Sequence, residues 1–397
     1  MKSSVILILS TIFFIPLLNA QSSRLATIYT IPTIHQGFIL ESLNGYGFNQ
    51  STYSPIFNIA SGNPASITDY QNFTLGLSYQ FDSAIDSAFL NFKHQRINNN
   101  IPQSGGIVYS RNNLSFGIGY SQKYSSDLTI DIPITTVANP DGTGEFYKVS
   151  IKNSVKCLSP IIAYRWDNII SNNDRISIGF QTNLNFLQSK HSVLSTTGKL
   201  NDEKINLKFG IRYECQNRFN QEWIFGFTFE NLIKFSGHYE FEPDFIIMGP
   251  DTSIIGNNQS IRALAEFTQA ETDYPSKLTF GYLFKPSSKV GIFGDFIYNY
   301  WKDITQKNEN RVDISGGFFF GATRIISFSL SFLKSEAYSY NGLIDEVDNS
   351  FDAVFLATGL IFHYSKFDIH LVLANNDWFS EFRRKQTIGK MGIGFNL

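Results

Sequence analysis

The stretch 326–332 reads Ile-Ser-Phe-Ser-Leu-Ser-Phe, so its apolar side chains fall on one face of an extended strand and its serines on the other. The same period of two recurs along residues 73–81, 114–121 and 205–213. Such alternation predicts an all-β protein. By itself it does not separate a soluble sandwich, whose apolar faces point inward, from a barrel whose apolar faces meet lipid.

The connections between the alternating segments help to separate these two folds. Several candidate strands are far longer than the roughly 5 to 6 residues usual in globular sheets. Short turns are expected at residues 111–113, 167–174, 217–221, 286–288, 322–324 and 365. Longer polar segments alternate with them at residues 124–144, 189–203, 240–260, 302–310, 337–350 and 379–386. Short turns at one end and long loops at the other are typical of outer-membrane barrels.

The number of connections predicts about fourteen antiparallel strands, an even number with both chain ends on the periplasmic side. This count treats residues 261–285 as one strand containing Pro275, and it adds no strand for residues 87–97, which themselves alternate. The last residues, 390–397, alternate as well and would close the barrel against its first strand, because open edges in lipid leave unpaired backbone groups. We therefore predict an all-β, antiparallel transmembrane β-barrel with an N-terminal luminal plug or hatch.

The domain organisation follows from composition. Residues 1–20 are expected to be a cleaved signal peptide, with Lys2 before an apolar run and Asn19-Ala20 ahead of Gln21. Residues 21–71 are assigned to the hatch segment and residues 72–397 to the barrel. The chain has 38 Phe and 19 Tyr, few charged residues and a net charge of −2, which suits the outer membrane of a Gram-negative bacterium and gives no reason to expect nucleic acid.

The fifty or so residues ahead of the first strand allow two interpretations. They could form a disordered periplasmic arm, or they could fold into the interior of the barrel, its lumen. A barrel of about 14 strands is wider than its own side chains can fill. This favours the plug.

Part of the sequence resembles a known family. The tripeptide Asn63-Pro64-Ala65, just ahead of the first strand, is similar to an element of the FadL-like long-chain fatty-acid transport family, which includes hydrocarbon-uptake channels. Residues 102–109 and 114–120 are similar to that family's second and third strands. Residues 274–282, where a proline interrupts a strand, and residues 294–301, which end in Tyr and Trp, are also similar to it.

The resemblance implies an outer-membrane channel for passive uptake of hydrophobic small molecules, gated by a hatch that contains Asn63, Pro64 and Ala65. The exit could be lateral or periplasmic, and no ligand-binding residue is assigned. Residues 45–55 depart from the small-residue stretch usual in the family. The expected partners are outer-membrane lipid and the ligand, with the chain as a monomer. The alternative function is a non-transporting scaffold in a secretion or surface-assembly complex.

No enzyme, cofactor or metal site is predicted, because no motif of a hydrolase, metalloprotease or phosphate-binding loop occurs. His363 and His370 share a hairpin with Asp368, and ordinary lumen-lining polar groups are the favoured interpretation. Residues 139–145 carry oxygen ligands at alternate positions, but too few for calcium, so a loop turn is favoured. The two cysteines, Cys157 and Cys215, could pair or stay free.

Two groups of residues have expected places in a barrel. Charged residues are expected to face the lumen, because a Lys or Arg in lipid costs about 2 to 4 kcal/mol. This group comprises Lys208, Arg212, Glu230, Asp295 and Lys390. Tryptophans near strand ends are expected at the membrane interfaces, and these are Trp223, Trp301 and Trp378.

Overall fold

The chain forms a closed antiparallel barrel of fourteen strands. The computed structural model describes residues 41–86, 95–133, 146–171, 173–193, 196–238, 240–242, 269–300, 310–335, 339–341, 346–348, 353–377 and 384–397. Among them, no helix is long and apolar enough to cross a membrane. The expected signal peptide, residues 1–20, lies outside these ranges.

The barrel strands follow one another around the wall in chain order. They are β1 (Asn72–Asp86), β2 (Gln95–Arg111), β3 (Leu114–Pro133), β4 (Phe146–Asp167), β5 (Asp174–Val193), β6 (Thr196–Gln216), β7 (Glu222–Glu230), β8 (Lys277–Ser287), β9 (Val290–Asn299), β10 (Arg311–Gly321), β11 (Ile326–Ser335), β12 (Ala353–Tyr364), β13 (Phe367–Asn375) and β14 (Arg384–Asn396).

The two ends of the chain close the wall. β14 pairs with β1 in a continuous antiparallel register that includes Leu75 opposite Phe395 and Tyr79 opposite Met391. Closure leaves neither terminal strand with an open edge, which is what a wall in lipid requires. The predicted antiparallel β-barrel and its count of about fourteen strands are confirmed, while the hatch stays a prediction.

One assumption behind the predicted count was wrong. Residues 261–285 are not one strand: Gln269–Tyr274 forms a separate two-stranded sheet with Ile233–His238, and β8 begins only after a break at Pro275 and Ser276. The count survives because this separate sheet lies outside the barrel wall. Residues 95–97 belong to β2, and residues 87–94 lie outside the described ranges.

Short turns connect the strands at one end of the barrel, which we call the turn end; the other is the loop end. Asn112, Asn168, Asn220 and Ser365 have positive φ in four of the predicted turns. Asn tolerates this left-handed backbone better than most residues with a Cβ. At the loop end, the described residues of two predicted loops, 124–133, 189–193 and 196–203, belong to strands, because β3, β5 and β6 extend into these ranges.

The wall has an apolar outside and a polar inside. In β11, Phe328, Leu330 and Phe332 are 41 to 44% exposed, whereas Ser329 and Ser331 are buried in the interior. A soluble protein would have the opposite arrangement, since large exposed apolar surfaces mark contact with lipid or a partner. Trp223 lies outward near the turn end and stacks on Phe284, as expected of an interface residue. Trp301 and Trp378 lie outside the described residues.

Residues 41–71, which we call the N-terminal segment, contact inward-facing positions all around this wall. The segment contains two short 3-10 helices, Ile56–Asn58 and Pro64–Asp69, and most of its side chains are buried. The segment lies against glycines four to six residues from the turn end of their strands, most of them contacted by its backbone and the others by its side chains, and a Cβ at these positions would overlap it. This ring, the glycine belt, comprises Gly76, Gly106, Gly119, Gly179, Gly210, Gly226, Gly281, Gly359 and Gly392.

A substitution in the glycine belt tests the close contact between this belt and the N-terminal segment. A Cβ on Gly226 would overlap the backbone carbonyl of Ser51, whereas the nearest atom to a Cβ on Gly389 would be Phe81 Cβ at 3.9 Å. We expect Gly226→Ala to lower the free energy of unfolding by about 1 to 3 kcal/mol, the usual cost of overpacking. Gly389→Ala should leave it nearly unchanged. Urea unfolding of the detergent-solubilised barrel measures both, and equal midpoints would contradict the seat.

Candidate functional site

Asp295 of β9 binds the N-terminal segment at Gln50 and Ser51. Its buried carboxylate accepts hydrogen bonds from the backbone N–H groups of Gln50, at 2.8 Å, and Ser51, at 3.3 Å, and from the Ser51 hydroxyl. Hydrogen bonds to a charged acceptor are stronger than neutral ones, and a buried carboxylate needs them. The wall therefore supplies the acceptor for two backbone donors that the segment leaves unpaired.

Asn63 forms hydrogen bonds both within the N-terminal segment and to strand β6 of the wall. Its Nδ2 donates to the carbonyl oxygens of Ser51 at 2.8 Å and Ile211 at 3.0 Å, and its Oδ1 accepts from Ala65 N at 3.0 Å. The last bond caps the 3-10 helix that begins at Pro64. Pro64 itself lies against the glycine belt at Gly179. The structure thus gives the tripeptide a seat against the wall, while its role in a hatch stays a prediction.

The end of the segment is anchored near the turn end by Arg212 of β6. Its Nε donates to the Thr52 carbonyl at 3.0 Å, and its guanidinium forms ion pairs with Asp69 and Glu214. The Tyr70 hydroxyl donates to the Ser54 carbonyl, and burial raises the pKa of this phenol well above its usual value. The segment is therefore fixed at several places along its length.

Above the glycine belt, toward the loop end, charged side chains gather in the lumen. We call this group, Glu41, Lys123, Lys208, Glu230 and Lys277, the lumen charge cluster. Lys123 forms an ion pair with Glu230, and Lys208 Nζ lies 4.0 Å from its other carboxylate oxygen. Burial raises the pKa of Glu41, and the cations of Lys277 and Lys123 offset part of that rise.

The lumen charge cluster borders a narrow cleft with a cavity volume of about 30 Å³. The opposite side of the cleft is largely apolar and comes from the loop end. That side consists of Tyr124, Ile233, Tyr274 and Pro275. Its charged and apolar sides match the chemistry of a small molecule with polar and hydrophobic parts, and the cleft must widen to admit one.

The wall opens between β2 and β3 at the level of this cluster. Their pairing runs from Arg111 opposite Leu114 up to Ser104 opposite Ser121, and the described register stops there. Beyond this point β2 continues on β1 and β3 continues on β4. A membrane-spanning strand needs about 9 to 11 residues, so the gap, which we call the seam, begins within the depth of a bilayer.

A bulge on each side shapes the seam. The β1–β2 register shifts at Gln103, and the β3–β4 register shifts at Lys123. Bulges bend a strand and redirect its side chains. The second one turns Lys123 toward Glu230 in the lumen. Gln122, next to it, donates from Nε2 to the Tyr124 carbonyl at 2.9 Å and so pairs part of the exposed β3 backbone.

The N-terminal segment contacts the base of the seam. Asn58 Oδ1 accepts from Ser104 Oγ at 3.0 Å and from Lys390 Nζ at 2.9 Å, and its Nδ2 donates to the Glu41 carbonyl at 3.2 Å. The Glu41 carboxylate accepts from Ser121 Oγ at 3.4 Å. Both residues of the last β2–β3 pair are therefore bound from inside by the segment.

The structure tests the residues chosen from sequence. The five charged residues expected in the lumen are all buried, which confirms their placement. His370 is buried against the rings of Phe57 and Tyr46, while His363 pairs with Asp368 at the more exposed turn end, with Nδ1 and Oδ1 2.7 Å apart. Residues 139–145 lie outside the described ranges.

Cys157 and Cys215 are both free. Sequence reasoning missed Glu41 and Asn58, which lie in a segment without periodicity, and Lys123, whose inward direction depends on a bulge. The bulges at Gln103 and Lys123 interrupt the period-two pattern of their strands, so this pattern could not have located the seam.

Comparison with known proteins supports the fold. No family model matches the chain, and no curated protein matches it. A FadL homologue of Pseudomonas aeruginosa is similar over 89% of this chain and 98% of its own, with a TM-score of 0.59 and 11% identity. The monoaromatic hydrocarbon channel CymD is similar over 89% of this chain and 96% of its own, with a TM-score of 0.57 and 11% identity. The toluene transporter TbuX of Ralstonia pickettii is similar over 90% of this chain and 99% of its own, with a TM-score of 0.54 and 10% identity. The chain has the fold of these channels, as the sequence resemblance implies.

Removing the Asp295 clamp tests how firmly the segment is held. In Asp295→Ala, the N–H groups of Gln50 and Ser51 lose their acceptor, at a cost of about 1 to 3 kcal/mol. We expect larger and more frequent ion-conducting openings in planar bilayers than in the wild type. Asp313→Ala is the control, because this buried carboxylate binds only wall side chains in the hydrogen bonds described, those of Asn299 and Ser335. Identical conductance in all three proteins would contradict the clamp.

Proposed function

We propose that the chain is an outer-membrane channel of a Gram-negative bacterium for passive uptake of hydrophobic small molecules, gated by its N-terminal segment. It acts as a monomer in contact with outer-membrane lipid and is not an enzyme. The apolar outer surface supports a membrane location, since it is stable against lipid. The similar structures carry the names FadL homologue, monoaromatic hydrocarbon channel and toluene transporter, which supports a hydrophobic ligand.

The seam is the observation that carries this proposal. The glycine belt seats the segment across the lumen close to the turn end, whereas the seam begins above it. A molecule that reaches the cleft from the loop end, where Glu41 of the segment lies, meets the seam before it meets the part of the segment that is seated in the glycine belt. We therefore propose lateral release into the outer leaflet. The bound contacts at Ser104 and Ser121 give the segment its influence on this opening.

The cleft also bears on the chemistry of the ligand. Burying an apolar tail against Tyr124, Ile233 and Tyr274 would contribute about 0.8 kcal/mol per CH₂ group. Lys123 and Lys277 face the same space and would favour a carboxylate over a neutral head group. Long-chain fatty acids and hydrocarbons are both within the proposed class, and uptake assays with each distinguish them.

A second candidate is the non-transporting scaffold. The observation that favours it is the close fit of the segment in the glycine belt, which leaves the backbone of the segment in contact with the wall on many strands. A barrel that only carries a partner has no need of a mobile hatch. It also has no need of the seam, and for this reason transport is the preferred function.

Uptake by cells tests transport. We expect a Gram-negative host that lacks its own channel of this fold to take up radiolabelled oleate or toluene several-fold faster when it expresses this chain. Deleting Lys123 removes the β3 bulge and should return uptake to the level of the empty host. Lys123→Ala keeps the bulge, so it should retain most uptake of toluene, which needs no cation, whereas uptake of oleate should fall because the variant removes a cation that favours the carboxylate. Rates equal to those of the empty host with folded wild-type protein would shift the assignment to the scaffold.

Deletion of residues 21–61 tests gating. Without this part of the segment, the lumen loses the residues that occupy the glycine belt between Gly45 and Ala60. We expect the deleted protein to admit small hydrophilic solutes into liposomes, which the wild type excludes, and to lose its control over hydrophobic uptake. Unchanged solute permeability and unchanged oleate uptake would show that the segment does not gate.

A further inference from the structure

A small two-stranded sheet stands apart from the barrel wall at the loop end. Its strands, Ile233–His238 and Gln269–Tyr274, pair with each other, and we call this sheet the ribbon. Short breaks at residues 231–232 and 275–276 separate it from β7 and β8, and the second break contains Pro275. Pro cannot donate a ladder hydrogen bond, so this position interrupts the sheet. The ribbon is thus joined to the wall by two bends at one level.

An apolar contact holds the ribbon against the inner face of the extended strands β3 to β6. Ile233 and Phe235 of the ribbon are buried in one cluster with Tyr124, Val155, Leu187 and Leu200 of those strands. Tyr274 packs against the same cluster. We call this cluster the latch. Its members come from four separate wall strands, so the ribbon lies across the inside of the wall.

Two polar contacts add to the latch. Ser236 N donates to the Asp202 carboxylate at 2.8 Å, and Glu240–Glu242, just beyond the ribbon, pairs with residues 197–199 of β6. Gly237 lies so close to Leu200 that a Cβ on it would touch the leucine side chain. These few bonds are much less extensive than the continuous ladders of the wall.

The ribbon also forms one side of the cleft over the lumen charge cluster. Ile233, Tyr274 and Pro275 line that side, and Lys123 and Glu230 line the other. Movement of the ribbon about its two bends would therefore change access to the buried charges, while the wall ladders stay intact. Elements that open are expected where few contacts hold them.

We propose that the ribbon is a lid over the lumen, hinged at residues 231–232 and 275–276 and held shut by the latch. Opening separates Ile233 and Phe235 from the four wall strands and exposes the lumen charge cluster to the outside. This inference concerns access to the lumen and does not depend on which molecule passes through it.

The native thiol of Cys157 reports on the lid. It is fully buried, faces inward two residues from Val155 of the latch, and pairs across the wall with Ser121. The full-length barrel carries Cys215→Ser to leave one native thiol. Leu200→Cys with Gly237→Cys adds a disulfide that locks the ribbon to β6. The rate at which a sulfonated, membrane-impermeant maleimide modifies the Cys157 peptide is followed by mass spectrometry, before and after reduction with a phosphine.

We expect the oxidised, locked protein to react at Cys157 at least tenfold more slowly than the same protein after reduction. Phe235→Ala in the Cys215→Ser background should react faster than its parent, because it weakens the latch. A folded band that shifts on heating confirms that each variant forms the barrel. Equal rates in the oxidised and reduced proteins, or no gain with Phe235→Ala, would overturn the lid. Neither result depends on uptake, so the lid and the proposed transport can fail separately.

Discussion

The close contact between the N-terminal segment and the glycine belt is the interaction on which the rest of the account depends. A barrel of fourteen strands encloses more space than its own side chains fill. Much of the contact between the segment and this wall is made by the backbone of the segment, which can approach a wall closely only where that wall lacks Cβ atoms. Once the segment is seated, Asp295, Asn63 and Arg212 have buried partners, and the lumen is divided into a packed level and a charged level above it.

The seam is a local exception to the rule that a wall in lipid pairs all its backbone groups. It arises from two bulges at neighbouring positions, Gln103 and Lys123, rather than from a missing strand. Its base is tied to the seated segment through Asn58 and Glu41. The glycine belt and the seam are thus parts of one arrangement, in which the segment that contacts the belt also contacts the place where the wall opens.

Much of the fold could be predicted because its causes are local. The serine-phenylalanine alternation of β11 gives both faces of that strand, and Asn at positions 112, 168 and 220 fits the turns. The inward direction of Lys208 and Asp295 follows from the alternation of inward and outward side chains along their strands. Lys123 could not be placed this way, because a bulge adds one residue and reverses the alternation beyond it, and composition does not reveal where this happens. The ribbon was mistaken for part of a strand, since Pro275 is compatible with an interrupted strand as well as with a bend, and only tertiary packing on β3 to β6 decides between them.

A density map of the protein purified from its native membrane into lipid nanodiscs tests the central claim most directly. We expect a segment seated in the glycine belt and an elongated apolar density that runs from the cleft beside Lys123 to the seam between β2 and β3. A density that passes a displaced segment and continues to the turn end would contradict it. So would a seam closed by continuous β2–β3 pairing beyond Ser104.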